Sequence, residues 1–442
     1  MDLEFSEFRH GVKVKHKNKQ YILKYPGDIW KNYSKSGGDF FIDNLAYLMT
    51  VVVPFVSRKN EINYNTNKPL FFNEINEVIR KSIPGAVMDY NHNPKKVIKK
   101  FKSFDYNFKN KKIKKPKYNG KKKDKVILSL SFGKDSLLSL GICDELVLDP
   151  RLVYINDTVS PHENNMKLNF FRKICKENNF KGNIIINEIE HLNDFENWSM
   201  PESCLGYMHM VTSFCFLNLP VAYDHNAGWV VVGNERVLNR TVDYNGKKIY
   251  PSFDQSLYWT RKLNDIVNVS SNGKVGVFSV LQSLYDSMLM RVLYKRYPHL
   301  AKYQISCPCL DASEYKRWCH DCSTCTTNYL HLVALDEDPK KAGFEENLFE
   351  KKYMKFYSLF NGSEIDIYEK IPLRRDEELM LFYQAMHNGA KGKLIDIFKK
   401  KYLKEYLEKE DRILRRFNRV YLPKTVPNKF AKKLVSIYKE YV

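Results

Sequence analysis

The sequence predicts an α/β protein: a doubly wound, mostly parallel sheet preceded by a small α+β domain and followed by a helical region. Three observations predict it. Short apolar runs of buried-strand type recur at 126–130, 152–155, 183–189, 229–232 and 275–280. Amphipathic segments lie between them at 164–178, 202–219, 254–267 and 281–297, the first with Met166, Phe170 and Ile174 on one face. Strands alternating with helices imply crossover units and a parallel sheet covered on both faces. Thirdly, 345–442 reads as helical: Ile397, Phe398, Tyr402, Tyr406 and Ile413 fall within 394–417, and Phe430, Leu434 and Ile437 within 429–441. Pro423 and Pro427 separate these two packing stripes.

In chain order, 1–90 reads as a small α+β domain. Residues 11–16 and 21–25 alternate apolar with polar side chains, a strand signal, and a helix is expected near 41–52. Residues 91–124 read as a Lys-rich linker, 125–335 as the main domain and 345–442 as the helical tail. No internal repeat occurs.

Composition narrows the class. Aromatic residues make up 14% of the 442 and mean hydropathy is −0.48, so a globular core is expected rather than disorder. The most apolar N-terminal stretch, 40–56, is interrupted by Asp43, Asn44 and Pro54 and does not read as a membrane span. Met1 is followed by Asp2, Glu4 and Glu7, unlike a signal peptide. A cytoplasmic, reducing setting is expected, where nine clustered or scattered Cys read as metal ligands or core rather than disulfides. The formal charge is +21, and of the 72 basic residues only 17 are Arg, the residue preferred for bidentate base and phosphate contacts. The dense run at 109–125 therefore reads first as a solvated linker, with an anionic substrate or RNA as the second reading.

The most informative segment is Ser131-Phe-Gly-Lys-Asp-Ser136, directly after a strand-like run and before a helical one. Backbone N–H groups at such a junction, with a helix N-terminus behind them, form an anion site. Gly133 lets main chain approach a phosphate closely. Ser131 and Ser136 offer hydroxyl donors and Lys134 a point charge. Asp135 is placed to orient a metal-bound phosphate or to cap the helix. A Walker loop is excluded, because it needs four residues between its glycines and a Gly-Lys-Ser/Thr ending. Two further loops fall at strand ends, where such sheets present ligands. Asn156-Asp-Thr158 is placed for adenosine or magnesium, and Glu235 of Gly233-Asn-Glu235 for substrate or metal; either is otherwise an ordinary polar turn.

Cys319, Cys322 and Cys325 are spaced x2, x2, and Cys307 or Cys309 supplies a fourth thiolate. Four sulfurs suit tetrahedral zinc in a structural role, since no coordination position stays open. An iron–sulfur cluster has similar spacing, and His320 can replace one Cys. Cys143, Cys175, Cys204 and Cys215 read as core.

The hexapeptide resembles the PP-loop, Ser-Gly-Gly-x-Asp-Ser, of the ATP pyrophosphatase superfamily, with Phe132 where the first Gly is usual. A PP-loop near the start of the domain and thiolates near its end resemble the branch containing 7-cyano-7-deazaguanine synthase (the ExsB/QueC-like group). Its zinc cysteines are spaced x8, x2, x2, against x9 from Cys309 or x11 from Cys307 here. Gly233-Asn-Glu235, Phe278-Ser-Val-Leu281, the Ser306 to Cys325 run and the longer layout resemble the UDP-N-acetylmuramoyl-L-alanyl-L-glutamate epimerase family. The motif matches span about 125–335.

The resemblance implies an adenine nucleotide alpha hydrolase-like fold and the cofactors ATP, Mg2+ and Zn2+. It implies cleavage of ATP to AMP and pyrophosphate, with activation of a carboxylate on a small molecule. It places Lys134, Asp135 and Glu235 in catalysis and Ser131, Phe132, Gly133, Lys134, Asp135, Ser136, Asp157 and Thr158 on the nucleotide. The synthase adds ammonia and dehydrates the amide; the epimerase uses activation to acidify the adjacent Cα–H. His162, His209, His225 and Glu235 are residues of the right type to take that proton. The alternatives are a tRNA-modifying PP-loop enzyme, motivated by the basic linker and tail, and a zinc-stabilised module that only holds nucleotide. No membrane partner is expected.

Overall fold

The computed structural model describes residues 1–88, 93–201, 203–244, 246–307, 317–368 and 370–442, without the side chain of His162. Cys309 lies outside the described residues. The strands, in chain order, are β1 (Asp2–Phe8), β2 (Gly11–His16), β3 (Lys19–Lys24), β4 (Glu61–Asn67), β5 (Asp105–Asn110) and β6 (Lys123–Ser129). They continue with β7 (Arg151–Asp157), β8 (Gly182–Asn187), β9 (Ala227–Val231), β10 (Val242–Tyr244), β11 (Lys247–Ile249) and β12 (Gly276–Phe278). Ten of them form one sheet in the order β12-β9-β6-β7-β8-β3-β2-β1-β4-β5.

The pairings from β12 through β8 are parallel, as are β1–β4 and β4–β5, so the sheet is mostly parallel and the chain mixed α/β, as the alternation of elements predicts. Burial differs along the sheet. Val126, Ile127 and Leu128 of β6 are consecutively buried, as expected of a strand covered on both faces, whereas β1 alternates exposed and buried positions.

The N-terminal strands build no sheet of their own. β3 pairs antiparallel with β8, Leu23 opposite Asn187, which carries β2, β1, β4 and β5 onto the same sheet. The span 91–124 likewise holds regular structure: a helix Pro94–Lys102, N-capped by the Asn93 side chain, and then edge strand β5.

Contacts gather the chain into two compact units. The first comprises Met1–Leu130, Val147–Val232 and Ile249–Ser279, and contains the ten-stranded sheet. Its core includes Trp30, Phe41, Tyr47 and Trp259, all fully buried. The segments Ile29–Val56 and Cys204–His225 are long and apolar enough to cross a membrane by composition alone; their most apolar windows are 94% and 72% buried in this fold, as core helices are.

The second unit comprises Ser131–Leu146, Gly233–Lys248 and Val280–Val442. Its helix Lys134–Glu145 lies against the end of helix Asp286–Arg296, where a Cβ on Gly141 would fall 2.7 Å from the Tyr297 ring, so only glycine permits that approach. Arg296 then grips Glu145 through two hydrogen bonds of 2.7 Å. The tail is helical as expected, but 394–417 breaks at Tyr402 into Lys393–Lys401 and Leu403–Phe417.

Candidate nucleotide and metal sites

The expected phosphate loop is a tight turn that leads into helix Lys134–Glu145, with Gly133 at the N-cap. Phe132 sits at φ 66, in the left-handed region that bulky residues rarely occupy. Phe132 thus follows a glycine-type backbone path, at a strain cost of about 1–3 kcal/mol. Two features hold it there: the ring is fully buried, and the Phe132 carbonyl accepts the Ile305 N–H at 2.8 Å. Ser131 donates to the Ser136 hydroxyl at 3.2 Å and accepts the Gly133 N–H at 3.4 Å, while Ser136 donates to the Gly133 carbonyl at 3.1 Å. Ser131 is exposed and Gly133, Lys134 and Asp135 are partly so, hence the turn opens to solvent. A Cβ at Gly133 would meet nothing closer than the Ser131 and Ser306 hydroxyls, at 3.6 and 3.9 Å.

Lys134 is the hub of a buried charge cluster. Its ammonium lies 3.0 Å from Asp135 Oδ1, 3.4 Å from Glu235 Oε2 and 3.7 Å from Asp286 Oδ1. Gly233 allows this closure, since a Cβ there would stand 3.0 Å from the Asp135 Cβ. Behind Asp286, Arg374 pairs with Asp286 Oδ2 and, at 3.1 Å, with Glu377 Oε2. Glu377 also accepts the Ser287 N–H at 2.8 Å. Four carboxylates thus share two cations.

The electrostatics follow from that imbalance. Burial works against the Lys134 charge, yet Asp135, Asp286 and Glu235 together hold the ammonium well above its ordinary range. Burial would also raise Asp286, but Arg374 and Lys134 outweigh it and keep that carboxylate ionised. Burial, then the Asp286 charge, push Glu235 well above the usual carboxylate range, against the pull of Lys134. Burial raises Asp135 too, against the pull of Lys134.

Asp286, Arg374, Glu377 and His331 were not singled out from the sequence. A signal exists for two of them: in 371–386 the stripe that continues as Leu381, Phe382 and Ala385 begins with Arg374, Glu377 and Glu378, charges where apolar residues belong. His331, from helix Ser323–Ala334, is 2% exposed, and neither ring nitrogen has a hydrogen-bond partner among the described residues. Burial lowers its pKa to about 3, so the imidazole is neutral beside Asp286.

The same helix begins in the cysteine cluster. The sulfurs of Cys307, Cys319, Cys322 and Cys325 lie within 4.8 Å of one another, with 3.7 Å between Cys319 and Cys325. A tetrahedron of thiolates about 2.3 Å from one ion has edges of about 3.8 Å, so this arrangement can hold a metal. It brings Cys307, rather than any other described cysteine, to the three closely spaced ones. Cys322 is the N-cap of the helix and accepts the Cys325 N–H at 3.4 Å; the Asp321 N–H reaches Cys319 at 3.3 Å. Such N–H donors stabilise thiolates. His320 is turned to other use, its Nε2 accepting the Glu345 N–H at 3.2 Å. Two residues before Cys307, Ile305 makes the bond to Phe132, so one short segment braces both the turn and the cysteine centre.

Asp157 and Thr158 belong to the sheet unit. Asp157, at the end of β7, accepts Asn187 Nδ2 at 2.6 Å; burial raises it to about 7 and the nearby Glu190 to about 8. Thr158 is 3.0 Å from His191 Nε2. Of the candidate bases, the His162 side chain lies outside the described residues, His209 is buried in the sheet unit, His225 Nε2 bonds the Asp149 carbonyl at 3.1 Å, and Glu235 is in the Lys134 cluster. Of the four cysteines expected in the core, Cys143 and Cys215 are buried, Cys175 is half-buried and Cys204 is exposed. No protein-family model and no curated protein matches the chain.

Proposed function

We propose that the chain is an ATP-dependent adenylating enzyme that activates a carboxylate on a small molecule. The observation that carries this reading is Lys134, the first residue of a helix entered through a glycine turn, packed against Asp135, Glu235 and Asp286. A substrate carboxylate oxygen attacks the α-phosphorus of ATP, and the α–β bridging P–O bond breaks. Pyrophosphate leaves with the electron pair, and an acyl adenylate remains. The N–H groups of the turn and the Lys134 ammonium stabilise the charge that builds on pyrophosphate. Asp135, Glu235 and Asp286 are oxygen donors of the kind that hold Mg2+, which when bound neutralises phosphate charge. The four cysteines are read as a structural zinc site, which a reducing, cytoplasmic setting would keep as thiolates.

Incubation with ATP, Mg2+ and a panel of carboxylic acids should release AMP and pyrophosphate; release of ADP and phosphate refutes the proposal. Lys134→Met should lower the rate at least about 100-fold, the scale for losing one preorganised charge-stabilising group.

A further inference from the structure

We propose that the lysine-rich strap between β5 and β6 is a sequence-independent binding surface for the phosphate backbone of double-stranded nucleic acid. This inference does not rest on the adenylation reading.

The charge of the chain is focused. Residues 93–125 contain 15 Lys and 2 Asp, so 33 residues carry +13 of the total +21. A general basic bias would spread that charge along the chain. A loose linker would leave it unorganised, and the structure shows otherwise. β5 and β6 stand seven positions apart in the sheet order, about 34 Å at about 4.8 Å per strand. The 13 steps from Asn110 to Lys123 reach at most about 43–47 Å fully extended. The strap therefore has to run extended over most of its length.

It is also pinned. Tyr118 is buried edge-on against Tyr33 and Tyr223, its carbonyl accepts Asn272 Nδ2 at 3.0 Å, and Asn119 accepts the Tyr223 hydroxyl at 2.9 Å. Along it, Lys114 pairs with Asp39 and Lys125 with Asp149. Lys111, Lys112, Lys115, Lys117, Lys121 and Lys123 are exposed and have no acidic partner among the described residues. The result is an anchored, extended backbone that carries a row of exposed lysines, complementary to a line of phosphates.

The residue types define how it binds. Lysine without arginine gives point-charge contacts to phosphate and no bidentate reading of bases. No aromatic side chain is exposed on the strap for stacking on unpaired bases, which favours a duplex over a single strand. Ile113 is its one exposed large apolar residue, too little to anchor in a bilayer.

The test is fluorescence anisotropy of the full chain with a labelled 24-base-pair DNA duplex of arbitrary sequence, at 50–300 mM KCl. Wild type should bind with log K falling by about 4–5 per decade of salt, the slope of about five phosphate contacts. The variant K111Q/K112Q/K115Q/K117Q/K121Q should lose most of that slope and bind at least about 100-fold more weakly at 50 mM, with an unchanged melting temperature. The matching five-fold Lys→Arg variant should retain binding. A wild-type slope shallower than −1, or an unaltered slope in the Gln variant, overturns the proposal. So does variant-sensitive binding to phosphatidylglycerol vesicles without duplex binding, which would make the surface a membrane contact.

Discussion

Replacing Arg374 by Met tests whether the Lys134 cluster is organised by ion pairing. Arg374 is 6% exposed and holds both Asp286 and Glu377. Methionine keeps most of the volume and removes the charge, leaving one cation, Lys134, among four carboxylates. Breaking a buried pair by removing one partner costs about 3–5 kcal/mol, because the other is left uncompensated in a poorly solvated place. In a unit of 150–250 residues each kcal/mol shifts the melting temperature by about 2–4 °C, so a fall of about 6–20 °C is expected at pH 7. The sign of the pH dependence follows from Asp286, whose pKa is depressed in the fold. Its stabilisation is present above the unfolded carboxylate pKa, about 3.9, and is lost as pH falls through the folded value. In R374M the carboxylates left without Arg374 take up protons more readily in the fold than in the unfolded chain, which relieves the variant as pH falls. The deficit should therefore be full at pH 7 and smaller at pH 5. Calorimetry at both pH values measures it, and D286N in the R374M background should recover stability. A drop of less than about 2 °C, or strictly additive effects of R374M and D286N, would show that the pair does not organise the site.

Three other outcomes follow from named groups. Metal analysis of the protein purified in reducing buffer should give about one zinc per chain, and Cys325→Ser should reduce it to near zero and lower the melting temperature. His331→Leu removes an imidazole that resists protonation in the fold but would take a proton when unfolded. Wild type should therefore lose stability as pH falls below about 6.5, and the variant should flatten that slope by up to about 1.4 kcal/mol per pH unit in denaturant titrations at pH 4–6. Asp157, raised to about 7, favours the folded state when protonated, so stability falls as pH rises from about 4 through 7. Asp157→Asn should accordingly melt higher than wild type at pH 8 and alike at pH 4.

The parallel strands and the cysteine cluster were legible because each is written locally: a buried strand as an unbroken apolar run, a thiolate site as short spacings. The Lys134 turn was legible for the same reason, and Phe132 hid nothing, because backbone conformation there is fixed by burial and by Ile305 rather than by residue type. What stayed hidden depends on distance along the chain. Asp286 and Arg374 are 88 residues apart, and nothing local to Asp286 announces a partner in the tail. The attachment of β3 to β8 is similar: Leu23 and Asn187 are neighbours only after three antiparallel strands are added to a parallel series. The helix and strand within 91–124 were masked by lysines, whose long side chains let an amphipathic segment read as solvated coil.

The junction of β3 with β8 carries a consequence for self-association. Without the first 90 residues, β8 would present a bare row of amides and carbonyls, the template on which strands of other chains polymerise. The N-terminal hairpins cover that row and move the rim of the sheet out to β5, which ends in Lys109 and Asn110 and runs straight into Lys111 and Lys112. Repulsion between ammonium groups makes that rim a poor partner for its own copy, so the segment that lengthens the sheet also supplies the charge that stops it growing further.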